Sequence, residues 1–239
     1  MSTPARKQYL RIKHEHPNAI LLFRMGDFYE TFDDDASLVS QVLDIALTSR
    51  EMGKGHRIPL AGIPYHSLDS YLGKLVKQGH KVAICEQTSD TTASQGIFDR
   101  EVVRVVTPGT VVEDSILDIK TNNYLSAVII HNGMVGFAYV DITTSEFHTT
   151  EISVDLLAAE LDRLSPAELI VSEGQSNDLP QGLNIETYVE SSVFDIGRTR
   201  DTLLRHFKIA SLESLGCERL ELAIRAAGAI VHYLDLNQK

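Results

Sequence analysis

The 239-residue chain carries 22 Lys and Arg against 33 Asp and Glu, a net charge of −11, with 43% hydrophobic residues. This suits one or two globular domains, and no apolar run approaches the roughly 18 residues of a membrane span. The acidic excess lies wholly in the second part, since residues 1–110 hold 13 basic and 13 acidic side chains and residues 111–239 hold 9 and 20. That part is a poor surface for a phosphate backbone, which argues against tight sequence-independent DNA binding by the chain alone. The N-terminus has no apolar signal region. Cys85 and Cys217 lie far apart in apolar surroundings, as reduced cytosolic thiols do, and neither a CxxC nor a CxxH spacing points to zinc.

In chain order, residues 4–16 read as a helix, with Thr3 as cap, Pro4 at the first helical position and Pro17 as stop. Ile20–Met25 is a predicted strand, Gly26-Asp27 a turn and Phe28–Phe32 the hairpin partner. Side chains at i and i+2 of a strand share a face, so Phe28 and Glu30 point one way and Tyr29 the other. Asp33, Asp34 and Asp35 open the next helix, where negative charge suits the dipole. Its apolar positions are Ala36, Val39, Leu43 and Ala46, with Leu38, Val42 and Ile45 beside them. Ser49–Gly55 is polar and reads as a loop. Ser67 caps a helix to about Gln78, whose apolar face is Leu68, Tyr71, Leu72, Leu75 and Val76, and Gly79 ends it. Lys81–Glu86 and Val102–Thr107 are strands, joined by a Ser- and Thr-rich segment, Thr88–Gly96, that reads as mobile. Pro108-Gly109 closes the first domain, taken as residues 1–110, and residues 111–122 read as a linker.

The second domain, 123–215, begins with strands Tyr124–His131 and Met134–Asp141 around Asn132-Gly133, the strongest short hairpin signal. Ser145–Ile152 follows as a strand, then a helix Asp155–Leu164, strands Glu168–Ser172 and Leu183–Tyr188, and a helix from about Thr199 to Phe207. Three antiparallel strands followed by alternating helix and strand imply an α/β fold with a mixed sheet. Residues 217–235 repeat Leu220, Ala223, Ile224, Ala227, Ile230, Val231 and Leu234 on one helical side, which must pack on something.

FRMGDFYETF at 23–32 is followed by AGIPYH, VAICEQ and VVRVVTPGT, four ordered segments spanning most of residues 20–110. In that order they resemble the amino-terminal mismatch-binding domain of the MutS family of bacterial DNA mismatch-repair proteins. Residues 120–239 resemble the family's connector domain and the start of its core, with less distinctive motifs. The resemblance implies a mixed-sheet α/β mismatch-binding domain, a ribonuclease-H-like α/β connector, and at 216–239 the truncated first helix of an α-helical core.

By resemblance, Phe28 inserts from the minor groove and stacks on a mispaired or unpaired base, and Glu30 hydrogen-bonds that base. Met25 flanks the wedge and Arg50 meets the backbone. The resemblance further implies mismatched double-stranded DNA, a second MutS-family subunit and, through the connector, MutL as partners, with no membrane. It implies a cytoplasmic, nucleoid-associated location, and ATP with Mg in the full-length protein but no cofactor here. The residues fit the chemistry: minor-groove proteins insert apolar wedges, and a mismatch unstacks more cheaply than a paired base. A carboxylate near phosphates has its proton affinity raised and can donate a hydrogen bond when neutral.

Other readings stand beside these. Phe28 can be a core residue, since most phenylalanines are buried, and the chain then becomes a protein-interaction module. Met25 can be core. Arg50, Lys54 and Arg57 can be a solvated loop. Tyr65-His66 reads as fixing the start of the next helix. Asp33-Asp34-Asp35 lacks the alternating acids of a calcium loop, and His14, His16, His56 and His80 are scattered, so no metal site is expected. Asp141 lies on a strand of the ribonuclease-H-like part, but a nuclease needs a second inward acid and none is evident. No GxxxxGK(S/T) occurs, so ATP hydrolysis by this chain, and catalysis in general, is not expected.

Overall fold

The computed structural model describes residues 3–51, 55, 57–88, 98–112, 116–117, 121–181, 183 and 185–237. Of these, residues up to Thr107 together with Ile116 form one compact unit, and 108–112 with 117–237 form another.

The first unit runs α1 (Pro4–Glu15), β1 (Ala19–Met25), β2 (Phe28–Phe32), α2 (Asp33–Leu43), β3 (Thr48–Glu51), β4 (Arg57–Pro64), α3 (Leu68–Lys77), β5 (Lys81–Gln87) and β6 (Arg100–Val106). The sheet order is β3-β4-β2-β1-β5-β6. Only β1 and β5 pair in parallel; the other neighbours are antiparallel. Thr3 caps α1 through a bond from the Arg6 N–H. One face of the sheet buries Leu21, Phe23, Phe32, Ala83, Cys85 and Val105 against Tyr9 and Ile12 of α1. Asp35 does more than open α2. Nearly buried, it accepts hydrogen bonds from the Leu21 N–H at 3.0 Å, the Tyr9 hydroxyl at 3.3 Å and Lys13 Nζ at 2.9 Å.

The second unit runs β7 (Tyr124–His131), β8 (Met134–Asp141), β9 (Glu146–Ser153), α4 (Leu157–Leu164), β10 (Glu168–Ser172), β11 (Glu186–Val189), α5 (Ile196–Phe207) and α6 (Glu221–Asn237). Its sheet order is β11-β10-β7-β8-β9. β7, β8 and β9 are antiparallel, and β10 is parallel to both β7 and β11, the mixed α/β sheet expected. Asn132 and Gly133 both take positive φ, 50° and 75°, as a type I′ turn requires. The apolar side of α6 packs with α5 on one face of this sheet; α4 covers the other.

Several expectations shift. Ser49–Gly55 is not a loop throughout: Thr48–Glu51 is a strand, paired with β4. All four of its residues are exposed, so it has no apolar alternation, and the ladder to β4 holds it. Ser67 makes no side-chain cap; a 3₁₀ turn, Tyr65–Ser67, leads into α3. A 3₁₀ turn at Val154–Leu156 likewise precedes α4. α5 begins at Ile196, capped by Asp195 through the Arg198 N–H at 3.0 Å. Pro108–Val112, read as ending the first domain and beginning a linker, packs with the second unit. Gly109 permits this, since a Cβ there would stand 2.8 Å from Leu125 Cδ1 and 2.9 Å from Glu168 Cβ. α6 also lies within the second unit's core. The segment Thr88–Gly96, expected to be mobile, falls outside the described residues apart from Thr88.

Candidate nucleic-acid interface

β1 and β2 close through Gly26-Asp27, with Met25 opposite Phe28. Gly26 has φ +61°, the positive value that a type II′ turn needs at its first central residue. Phe28, Glu30 and Phe32 alternate onto one face of β2, opposite Met25 and Phe23 of β1. Along that face burial falls away quickly. Phe32 is in the core, Glu30 is 7% exposed and Phe28 at the tip is 47% exposed. Phe28 is therefore not a core residue. Met25, half-buried, packs against the core cluster that contains Phe23.

Glu30 does not stand free. Arg50 reaches it from β3 with two parallel bonds of 2.6 and 2.8 Å, the bidentate geometry that favours arginine over lysine. Glu30's neighbour on β4 is Gly62, where an added Cβ would stand 3.6 Å from Glu30 Cγ and 3.9 Å from Phe28 Cδ1. Burial pushes the Glu30 carboxyl above the ordinary glutamate range, against the opposing pull of Arg50 and, more weakly, Arg100. Arg50, placed in a loop by the sequence reading, is instead a strand residue and Glu30's partner. Arg57, read as solvated, bonds Ser49 Oγ and the Ser49 carbonyl at 2.9 and 2.8 Å. Lys54 lies outside the described residues.

Residues to which the sequence reading gave no part in the site cluster at the same tip. Arg100 is buried at the start of β6 and lies over the Phe23 ring. Tyr65 fixes more than the start of a helix: its N–H donates to the Asp27 carbonyl at 2.9 Å, and its ring is exposed. Arg24 and Glu86 meet on the other side of the hairpin. Both stood within the quoted motifs, but nothing in a linear sequence shows that β1 lies between β2 and β5.

In the second unit, Asp141 accepts from the Thr143 N–H and hydroxyl at 2.9 and 2.6 Å and from the Asn123 N–H. Glu168 is a buried acid that the sequence reading overlooked; it accepts from Thr187 Oγ1 and the Tyr233 hydroxyl at 2.6 and 2.7 Å. Asp141 pairs with Tyr124 and Glu168 with Leu125. Adjacent residues of β7 face opposite ways, so these acids lie on opposite faces and cannot share metal ions. Among the described residues no three His, Cys, Asp or Glu side chains are grouped to hold a metal, and no helix is long and apolar enough to cross a membrane.

A family model described as MutS domain I matches residues 3–115, and one described as MutS domain II matches residues 123–239. The chain is 49% identical over 238 residues to a DNA mismatch repair protein MutS of Dehalococcoides mccartyi, covering 99% of this chain and 28% of that protein. It is 44% identical to the MutS proteins of Halothermothrix orenii and Salinibacter ruber, covering 99% of this chain and 27% of each. The chain thus spans little more than a quarter of the length of these curated relatives. With the two models matching residues 3–115 and 123–239 across two mixed-sheet α/β units, the chain belongs to the MutS family of DNA mismatch-repair proteins.

Proposed function

We propose that this chain is the mismatch-sensing and connector portion of a longer mismatch-repair protein, and that Phe28 is its wedge. The observation that carries the reading is the gradient along β2. A large aromatic stands in solvent at a hairpin tip, two residues from a nearly buried carboxylate on the same face. An exposed aromatic on a tight turn suits insertion between base steps from the minor groove. Unstacking costs least where a base is already mispaired, so discrimination comes from deformability rather than from a code of base edges. Glu30 meets the displaced base. Its raised proton affinity lets it donate a hydrogen bond when neutral; when charged, it repels phosphates and favours release from matched duplex. Arg50 favours the charged form while offsetting its field, and has guanidinium donors left over for the backbone.

The second unit relays this state to an ATPase core in the remainder of the protein and to MutL. An acidic domain that avoids DNA suits a docking role. ATP and Mg belong to that remainder, since this chain has no phosphate-cradling motif. The working assembly is a dimer of cytoplasmic, nucleoid-associated subunits that encloses the duplex.

The test is fluorescence anisotropy of the full-length protein on mismatched and matched duplexes across a salt series. Tighter binding to the mismatched duplex at every salt concentration supports the reading; equal affinities at all of them contradict it. The 239-residue chain alone should bind mismatched duplex only weakly at near-physiological salt. Its first part is net neutral and its second is net −11, and one wedge must offset a bending cost of roughly 1–6 kcal/mol.

A further inference from the structure

Resting on that reading, we infer that Arg24, stacked on Tyr65 and held by Glu86, is a positioning residue that fixes the Gly26-Asp27 turn and so the direction in which Phe28 leaves the sheet. Arg24 pairs across the hairpin with Tyr29, one residue out of phase with Phe28, and so lies on the opposite face of the ribbon. Both carbonyls of the two-residue turn are captured. Arg24 Nε–H donates to the Gly26 carbonyl at 2.6 Å, and the Tyr65 N–H donates to the Asp27 carbonyl at 2.9 Å. The Arg24 guanidinium sits 4.0 Å from the Tyr65 ring centroid and 5.4 Å from that of Tyr29. Its Nη1 is 4.0 Å from Glu86 Oε2. The Tyr29 hydroxyl donates to the other oxygen of Glu86. From behind, Arg100 Nε–H donates to the Arg24 carbonyl at 2.6 Å.

The arrangement is more than packing. Tyr65 is 45% exposed, so its ring adds little to the core, yet it stacks on the side chain that bonds the Gly26 carbonyl. A guanidinium is planar and stacks on the ring while its edge donates to a carbonyl; an ammonium is a compact point charge without that flat face or fixed fork. A wedge that arrives already oriented loses less freedom on insertion, and that advantage appears only where insertion occurs. The clamp therefore acts on mismatched duplex and leaves matched duplex alone.

The experiment measures mismatched and matched affinities of the full-length protein for Tyr65→Ala, Tyr65→Phe, Arg24→Lys and Phe28→Ala, with thermal unfolding of each. Tyr65→Ala and Arg24→Lys should weaken mismatched binding about 2- to 10-fold with matched binding unchanged. Tyr65→Phe should behave as wild type, because the clamp uses the ring and the backbone N–H. In a Phe28→Ala background, Tyr65→Ala should have no further effect. Should Tyr65→Ala prove less stable, Tyr65→Leu fills the volume without a π face and supplies the same comparison. Equal losses on both duplexes would make Tyr65 a DNA backbone contact and overturn the inference, as would additive losses with Phe28→Ala or full discrimination by Arg24→Lys. If Phe28→Ala itself keeps mismatch preference, the wedge reading has failed rather than the clamp alone.

Discussion

The two units each contain a hairpin closed by a two-residue turn, and the pair is instructive. Beyond Gly26-Asp27 stands Phe28; beyond Asn132-Gly133 stands Met134. Both side chains are large, apolar and similarly exposed, at 47% and 40%. The difference lies two residues further along the same face. In β8 that position is Gly136, and a Cβ there would stand 2.0 Å from the Leu222 carbonyl oxygen of α6. The helix backbone lies directly on the strand and closes the face. In β2 it is Glu30, a side chain that lies beside Gly62 of β4 and that, among the described residues, is bonded by Arg50. Turn chemistry makes both hairpins; what lies behind the tip, a helix backbone in one and a salt-bridged carboxylate in the other, sets them apart.

The largest expected effect follows from the closed face. Gly136→Ala should destabilise the second unit by about 3 kcal/mol, since backbone of α6 must move. Gly62→Ala, beside Glu30, places its Cβ 3.4 Å from the Tyr29 carbonyl and 3.6 Å from Glu30 Cγ, and should cost less than about 1 kcal/mol. Urea unfolding of both variants checks the contrast; equal costs would break it.

Next comes Arg50→Ala, which leaves a buried carboxylate unpaired. Arg50 is itself partly exposed, so the loss should be about 1–2 kcal/mol near neutral pH, below that of a fully buried pair. Its pH dependence has a definite sign. Burial already raises the folded-state pKa of Glu30 above its unfolded value, and removing Arg50 raises it further. A carboxyl shifted this way costs stability as pH rises from the unfolded value through the folded one. The deficit of Arg50→Ala should therefore shrink as pH falls toward the acidic range. Unfolding series at acidic and mildly alkaline pH measure it; a deficit that grows on acidification contradicts the assignment.

Glu30→Gln is subtler. The amide still hydrogen-bonds a base but no longer repels phosphates. Matched duplex should bind more tightly, about 2- to 10-fold for one charge removed, so the gap between the duplexes narrows. A parallel loss on both would mean that Glu30 mainly holds the hairpin to β3. Smallest is Met134→Ala, expected within about 0.5 kcal/mol in stability and silent in mismatch binding. A measurable loss of discrimination there would end the contrast between the tips.

Much of this was legible in the sequence, for local reasons. Gly26-Asp27 and Asn132-Gly133 between apolar runs marked both hairpins, and Phe28 with Glu30 on one face followed from the period of two. What escaped was set by neighbours distant in sequence. Thr48–Glu51 has no apolar alternation and is a strand only because β4 pairs with it. Arg50 could not be matched to Glu30 without the order β3-β4-β2. Glu86 could not be matched to Tyr29 without β1 lying between their strands. Asp35 was read as a helix-start charge because its partners Tyr9, Lys13 and Leu21 come from elements before the hairpin turn. Glu168 was passed over because its worth depends on Tyr233, on the last helix.

The central claim, that Phe28 is held out of the core in order to enter a base stack, is tested most directly by Phe28→Ala in the full-length protein. Thermal unfolding and binding to mismatched and matched duplexes are read on the same preparation. Stacking of a base on an aromatic contributes roughly 1–3 kcal/mol, so mismatched affinity should fall about 5- to 150-fold. Matched affinity and stability should stay close to wild type. A variant that unfolds, or that folds and still prefers the mismatched duplex, would contradict the account.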